Sequence, residues 1–224
     1  MSEKKFREAG RAQVSMLAPL EKKVLIWLAH RTPAAINSDH LTALGLVAML
    51  GAGAAYWYSS HDKTGLLLVI LFLIVNWYGD SLDGTLARVR DKQRPRYGFY
   101  VDHVVDALGT TCLLGGMALS GYMTVVIALC LLICYFLLSI EVYLATYTIG
   151  TFHLSFWKFS PTELRIVLSI GALAAYLDPG VVPGGGAYRA FDIGGWIGLA
   201  AMIVMLFVAI TKHTLHLYRA EPID

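Results

Sequence analysis

The sequence predicts an all-α integral membrane protein, with six transmembrane helices and an N-terminal amphipathic helix at the membrane interface. Three observations predict it. The 224 residues are 57% hydrophobic and only 15% charged, with a mean hydropathy of +0.59, too apolar for a soluble domain of this length. The apolar residues fall into six stretches, about 41–58, 65–79, 100–119, 122–147, 161–177 and 193–215. The cations divide unequally between alternate connections, sixteen Lys or Arg on one side against two on the other.

Residues 1–35 read as a cytoplasmic and interfacial segment. They are dense in Lys and Arg and lack the apolar core and small-residue cleavage site of a signal peptide. Pro19 suits a first helical turn, and Leu20, Val24, Trp27 and Leu28 recur at helical spacing with Lys22 and Lys23 off that stripe. A helix on the cytoplasmic membrane surface is expected there, and a cap packed over the bundle is compatible with the same pattern. The first, third, fourth and sixth stretches are long enough, or nearly so, to cross hydrocarbon as helices. The second has only about fourteen apolar residues before Asp80, so it must continue to Arg88 to reach a polar phase. The fifth is also short and opens on Ser160-Pro161-Thr162-Glu163. There is no internal repeat, and residues 1–224 read as a single domain.

Orientation follows from the cations. Lys4, Lys5, Arg7, Arg11, Lys22, Lys23 and Arg31 precede the first span, and Arg88, Arg90, Lys92, Arg94 and Arg96 follow the second. Lys158, Arg165, Lys212 and Arg219 lie on the same side, whereas only Lys63 and Arg189 lie on the other. Both termini are therefore expected in the cytoplasm, in a membrane of the bacterial inner type. Tyr56-Trp57-Tyr58, Trp77-Tyr78, Trp196 and Tyr218 suit interfacial belts.

Several residues carry no chemistry on this reading. Cys112, Cys130 and Cys134 lie within spans and read as small core residues. His213 and His216 lack a third ligand nearby and read as a solvated helix end. Gly194 and Gly198 permit close helix packing, and Gly184-Gly185-Gly186 reads as an outer turn. A small net charge of +2 gives no reason to expect nucleic acid as a partner.

The chemistry is concentrated between Asp80 and Asp106, in the pattern Asp80-x2-Asp83-Gly84-x2-Ala87-Arg88-x9-Gly98-x3-Asp102-x3-Asp106. Helical spacing groups Asp80, Asp83, Gly84, Ala87 and Arg88 on one face, and Gly98, Asp102 and Asp106 on a face of the next helix. Antiparallel, the two helices bring four carboxylates together, a cluster stable only when cations or protons neutralise it. Several carboxylates without a thiol suit a pair of Mg²⁺ or Mn²⁺ ions. Intramembrane aspartates also line cation paths in transporters, but such a path has no use for Arg88 beside its site.

This pattern resembles the signature of the CDP-alcohol phosphotransferase family of phospholipid-synthesising membrane enzymes. All eight fixed positions are filled, with one extra residue between Arg88 and Gly98, in a stretch read as a loop. The family's segment opening the first span is similar to Asn37-Ser38-Asp39-His40-Leu41-Thr42, with Ser38 and Asp39 where Pro and Asn stand. Asp39 can also cap that helix.

The resemblance implies transfer of a phosphatidyl or phospho-alcohol group from a CDP-linked substrate to a hydroxyl, with release of CMP. It implies Asp80, Asp83, Asp102 and Asp106 as ligands of the two divalent ions, and Asp106 as the general base. It further implies Asp39, Thr42, Gly84, Ala87, Arg88 and Gly98 around the CDP moiety, and a homodimer among membrane lipids. The acceptor is not implied. Lys158 and Arg165 suit a phosphorylated alcohol. Glu163, with Phe152, Phe156, Trp157 and Phe159, suits an amine-bearing alcohol. Ser160-Pro161-Thr162-Glu163 resembles a segment of choline and ethanolamine phosphotransferases, which implies the alternative of a CDP-linked amino alcohol used with diacylglycerol. Glu163 equally suits a carboxylate that caps its own helix.

Overall fold

A computed structural model describes residues 17–149, 160–177 and 190–222. The described residues form seven helices and no strand: α1 (Ala18–Arg31), α2 (Ser38–Tyr58), α3 (Gly65–Val89), α4 (Pro95–Ser120), α5 (Val125–Ile149), α6 (Pro161–Leu177) and α7 (Ala190–Ala220). Four of them, α2, α3, α5 and α7, are long and apolar enough to cross a membrane. The six stretches expected from the sequence all form helices. However, α4 opens with a polar half that carries Arg96, Asp102 and Asp106, and α6 has only 17 residues. The Gly184–Gly186 turn and Arg189 lie outside the described residues.

Helix α2 packs along both α3 and α4. The contact is made by backbone. A Cβ on Gly53 would lie 2.2 Å from the Cys112 carbonyl oxygen, and one on Gly116 would lie 2.0 Å from the carbonyl oxygen of Gly53. Across the other face, a Cβ on Gly79 would lie 2.6 Å from the Leu41 oxygen and 2.7 Å from the Gly45 nitrogen. Hydrocarbon offers helices no apolar incentive to associate, so close approach of small residues supplies the packing. Beside these crossings Tyr56, Leu66, Val69, Leu73 and Met117 are almost fully buried, in one cluster that Ile127 and Ala172 extend to α5 and α6.

Helix α3 runs without a break through the aspartates to Val89, as the shortness of its apolar part requires, and α4 begins at Pro95. Proline is suited to a first helical position because its missing N–H would be unpartnered there. The turn between them is therefore shorter than the loop expected from the sequence. Asp91, at φ 52, reverses the chain in the left-handed region.

The N-terminal helix α1 packs on α3. Leu25 and Ala29 are buried against Leu41, Leu82 and Leu86, with Leu28 joining them. Of the expected stripe only Leu28 turns inward. Leu20, Val24 and Trp27 are exposed by 63%, 38% and 54%, leaving a separate apolar face. The Glu21 carboxylate accepts hydrogen bonds from Trp77 Nε1 at 2.9 Å and from Thr162 Oγ1 at 2.7 Å, tying α1 to both α3 and α6.

Two contacts at α7 correct the sequence reading. Gly195 rather than Gly194 meets α5, since its Cβ would lie 2.6 Å from Ile127 Cγ2 whereas nothing lies within 4 Å at Gly194. His213 is not a solvated helix end: its Nδ1 lies 2.5 Å from Oε1 of Glu141 on α5. At the opposite end, Asp192 accepts from the Thr124 backbone N–H and hydroxyl, both at 2.6 Å, joining the starts of α5 and α7.

The crossing of α2 and α4 has a direct test. Gly116→Ala should lower stability by about 1–3 kcal/mol, because the new methyl group meets immovable backbone. Gly115→Ala, where nothing lies within 4 Å, should be neutral or slightly stabilising. Thermal unfolding of the two variants in detergent measures the difference.

Candidate active site

The last three turns of α3 and the first turns of α4 carry the motif. Asp80, Asp102 and Asp106 each present a carboxylate oxygen, and the three oxygens lie within 4.8 Å of one another. Asp80 and Asp102 are half-buried and Asp106 is exposed. Charges this close repel strongly beside an apolar bundle, so the group calls for positive charge. Three oxygen donors from three carboxylates fit a hard divalent ion such as Mg²⁺ or Mn²⁺.

Asp83 is placed differently. It lies outside that group of three, and its own carboxylate serves the α2–α3 contact. Oδ2 accepts from Thr42 Oγ1 at 2.6 Å and Oδ1 from the Gly84 N–H at 2.5 Å. Ser38 Oγ donates to the Asp83 carbonyl at 2.8 Å. Thr42 and Ser38 thus hold the end of α3 against the start of α2.

The start of α2 is fixed by Asn37, not by Asp39. Asn37 Oδ1 accepts from the His40 N–H at 3.0 Å, and His40 Nδ1 accepts from the Asn37 N–H at 3.3 Å, a reciprocal cap. Asp39 pairs with Arg94, whose guanidinium also lies 4.2 Å from the centre of the Tyr97 ring. The Asp39 hydrogen bond raises the Arg94 pKa further above its ordinary value. Arg90 donates to the carbonyls of Ile36, Thr32 and Pro33 at 2.5, 2.7 and 3.1 Å, which fixes the connection between α1 and α2.

These groups surround a cleft of about 410 Å³ lined by Ala34, Asn37, Ser38, Asp39, Leu86, Ala87, Arg90, Lys92, Gln93 and Arg94. The volume is that of a small-molecule site. Gly84 and Gly98 leave open backbone nearby. Nothing lies within 4 Å of where a Cβ on Gly98 would be, and only the Arg88 guanidinium approaches that of Gly84. Arg88 itself is exposed and donates to Thr85 Oγ1 at 3.1 Å.

A second, smaller cavity of about 30 Å³ sits deeper, lined by Thr42, Gly45, Asn76, Asp80, Asp106, Arg165 and their neighbours. Arg165, from α6, donates Nε–H to Asn76 Oδ1 at 2.7 Å and Nη2–H to Asp80 Oδ2. It brings positive charge to the carboxylate group from a helix 85 residues further along the chain. Glu163 is used otherwise. Its Oε2 accepts from the Ser160 N–H at 2.9 Å and from the Ser160 hydroxyl, so this carboxylate caps α6, the second of the two roles open to it. Lys158 lies outside the described residues, as do the aromatics Phe152 to Phe159.

Asn76 was not singled out from the sequence. It is an amide in an otherwise apolar run, four residues before Asp80 and thus on the same helix face. A polar group at that depth is a signal in itself.

The sequence model of the CDP-alcohol phosphatidyltransferase family matches residues 36–212, from just before α2 into the last turns of α7. The chain belongs to that family. Its members are membrane transferases that use divalent metal ions, and a group of three aspartates is present here. No curated protein matches the chain.

Proposed function

We propose that the protein transfers a phosphatidyl group from a CDP-linked lipid to the hydroxyl of an acceptor alcohol, releasing CMP. The observation that carries this is the convergence of Asp80, Asp102 and Asp106, from two helices, in a chain of this family. Two divalent ions, Mg²⁺ or Mn²⁺, held by these residues and Asp83, would supply the charge that makes CMP a better leaving group. Asp39, Thr42, Gly84, Ala87, Arg88 and Gly98 orient the CDP moiety. Open backbone at the two glycines admits a diphosphate, and exposed Arg88 offers it a charged donor.

Asp106, the exposed carboxylate of the group, accepts the proton of the attacking hydroxyl. The hydroxyl oxygen forms a bond to the phosphatidyl phosphorus, and the bond from that phosphorus to the phosphate oxygen of CMP breaks. The single domain works as a homodimer with six spans. Helix α1 lies on the membrane surface through Leu20, Val24 and Trp27, and both termini are cytoplasmic. The exposure of those three side chains supports this placement. A cysteine replacing Asp62 should be labelled by an impermeant reagent from outside intact cells, and one replacing Lys92 should not. The reverse pattern would overturn the orientation.

The acceptor carries a phosphate. Support comes from Arg165, whose guanidinium lines the same cavity as Asp80 and Asp106, and from the use of Glu163 as a helix cap. Purified protein with CDP-diacylglycerol and Mg²⁺ should release CMP faster with sn-glycerol 3-phosphate or myo-inositol 1-phosphate than with glycerol, inositol, choline or ethanolamine. Arg165→Ala should raise the acceptor KM by roughly tenfold to a hundredfold, whereas Glu163→Gln should change it less than about threefold. The opposite ranking would instead support an amine-bearing acceptor.

A further inference from the structure

Arg165 is long and flexible, and a guanidinium that roams cannot define a site. Ordering such a side chain costs conformational entropy, so a functional arginine needs a second anchor. The structure supplies one at Asn76, which is 5% exposed within α3. Its Nδ2 donates to the Gly45 carbonyl of α2 at 2.9 Å, and its Oδ1 accepts from Arg165 Nε at 2.7 Å. The orientation of the amide follows from its partners. A carbonyl oxygen can only accept and the Nε–H of arginine can only donate, so the amide nitrogen must face Gly45 and the amide oxygen must face Arg165.

Neither aspartate nor leucine supplies both a donor and an acceptor there. Gly45 lets the α2 backbone approach α3 at this level. A Cβ at that position would stand 3.3 Å from the Asp80 nitrogen and 3.7 Å from Asn76 Nδ2. One turn along the same face of α3, Asp80 receives the other end of the guanidinium. Fixed at Nε and steered at Nη2, the guanidinium has one orientation at the wall of the inner cavity.

We propose that Asn76 is a positioning residue. It locks Arg165 so that its guanidinium meets the phosphate of the acceptor, and so acts on acceptor recognition through Arg165 alone. This rests on the reading of Arg165 given above.

Inorganic phosphate serves as the probe, titrated by thermal shift against the full-length protein in Mg²⁺ and saturating CMP. Arg165→Ala, Asn76→Leu and Asn76→Ala should each weaken phosphate binding by about tenfold, the loss of one hydrogen bond to a charged group. The double variant Asn76→Leu/Arg165→Ala should bind no more weakly than Arg165→Ala alone, since the two act as one unit. In turnover, the acceptor KM should rise in the Asn76 variants while the KM for CDP-diacylglycerol stays unchanged.

Phosphate binding at the wild-type level in both Asn76 variants, with Arg165→Ala weakened, would overturn the role of Asn76 and leave that of Arg165 standing. Additive losses in the double variant, or a matching rise in the CDP-diacylglycerol KM, would reduce Asn76 to a packing residue. Undiminished binding in Arg165→Ala would overturn the phosphorylated acceptor, and the inference with it.

Discussion

Three carboxylates whose oxygens lie within 4.8 Å of one another, at the edge of an apolar helix bundle, are the constraint on which the rest of the structure depends. Left uncompensated, like charges at such range cost several kcal/mol in a partly desolvated site. The fold must therefore do two opposing things. It must hold α3 and α4 each against α2, and it must deliver positive charge to the place where their carboxylates meet. Glycine contacts do the first: where Gly53 meets Gly116 and Gly79 meets Gly45, backbones touch and no side chain could intervene. Arg165 does the second from α6.

Delivery of Arg165 explains contacts that otherwise look incidental. Helix α6 is short, so the position of its first turn decides where Arg165 falls one residue beyond Glu163 and Leu164. That turn is capped by Ser160 with Glu163, and it is tied through Thr162 to Glu21, which also holds Trp77 of α3. The N-terminal helix thus braces the same helix that serves the site. The outer pair α5 and α7 meets a different need. It presents long apolar faces, with its polar groups paired internally as Glu141 with His213 and Asp192 with Thr124. Unpaired, any of these would be costly in hydrocarbon.

Much of this could be read before the structure. Apolar length and the placement of charge locate all seven helices, and the need of Asp80 to reach a polar phase foretells the continuation of α3 to Val89. Helical spacing gathers Asp80, Asp102 and Asp106, whereas Asp83, expected with them, lies outside that group. What sequence could not resolve depended on partners distant along the chain. The amide of Asn37 beats Asp39 as the cap because His40 reciprocates. Gly195 beats Gly194 because α7 turns that face to Ile127. Glu141 and His213 stand 72 residues apart, and Asn76 and Arg165 stand 89 apart, beyond any local periodicity. Glu163 shows the limit most plainly. Its two readings, a charge for the acceptor or a cap for α6, use the same residue at the same spacing, and only the position of Ser160 separates them.

The central claim is that the carboxylate group of α3 and α4 is a divalent-cation site. Titrating purified protein with Mn²⁺, and following the free ion by electron paramagnetic resonance, measures this without any substrate. The wild-type chain should take up two ions, displaceable by Mg²⁺, and Asp80→Asn or Asp102→Asn should abolish or weaken uptake by at least about tenfold. Uptake in both variants equal to that of the wild type would contradict the account, because the ions would then be held elsewhere.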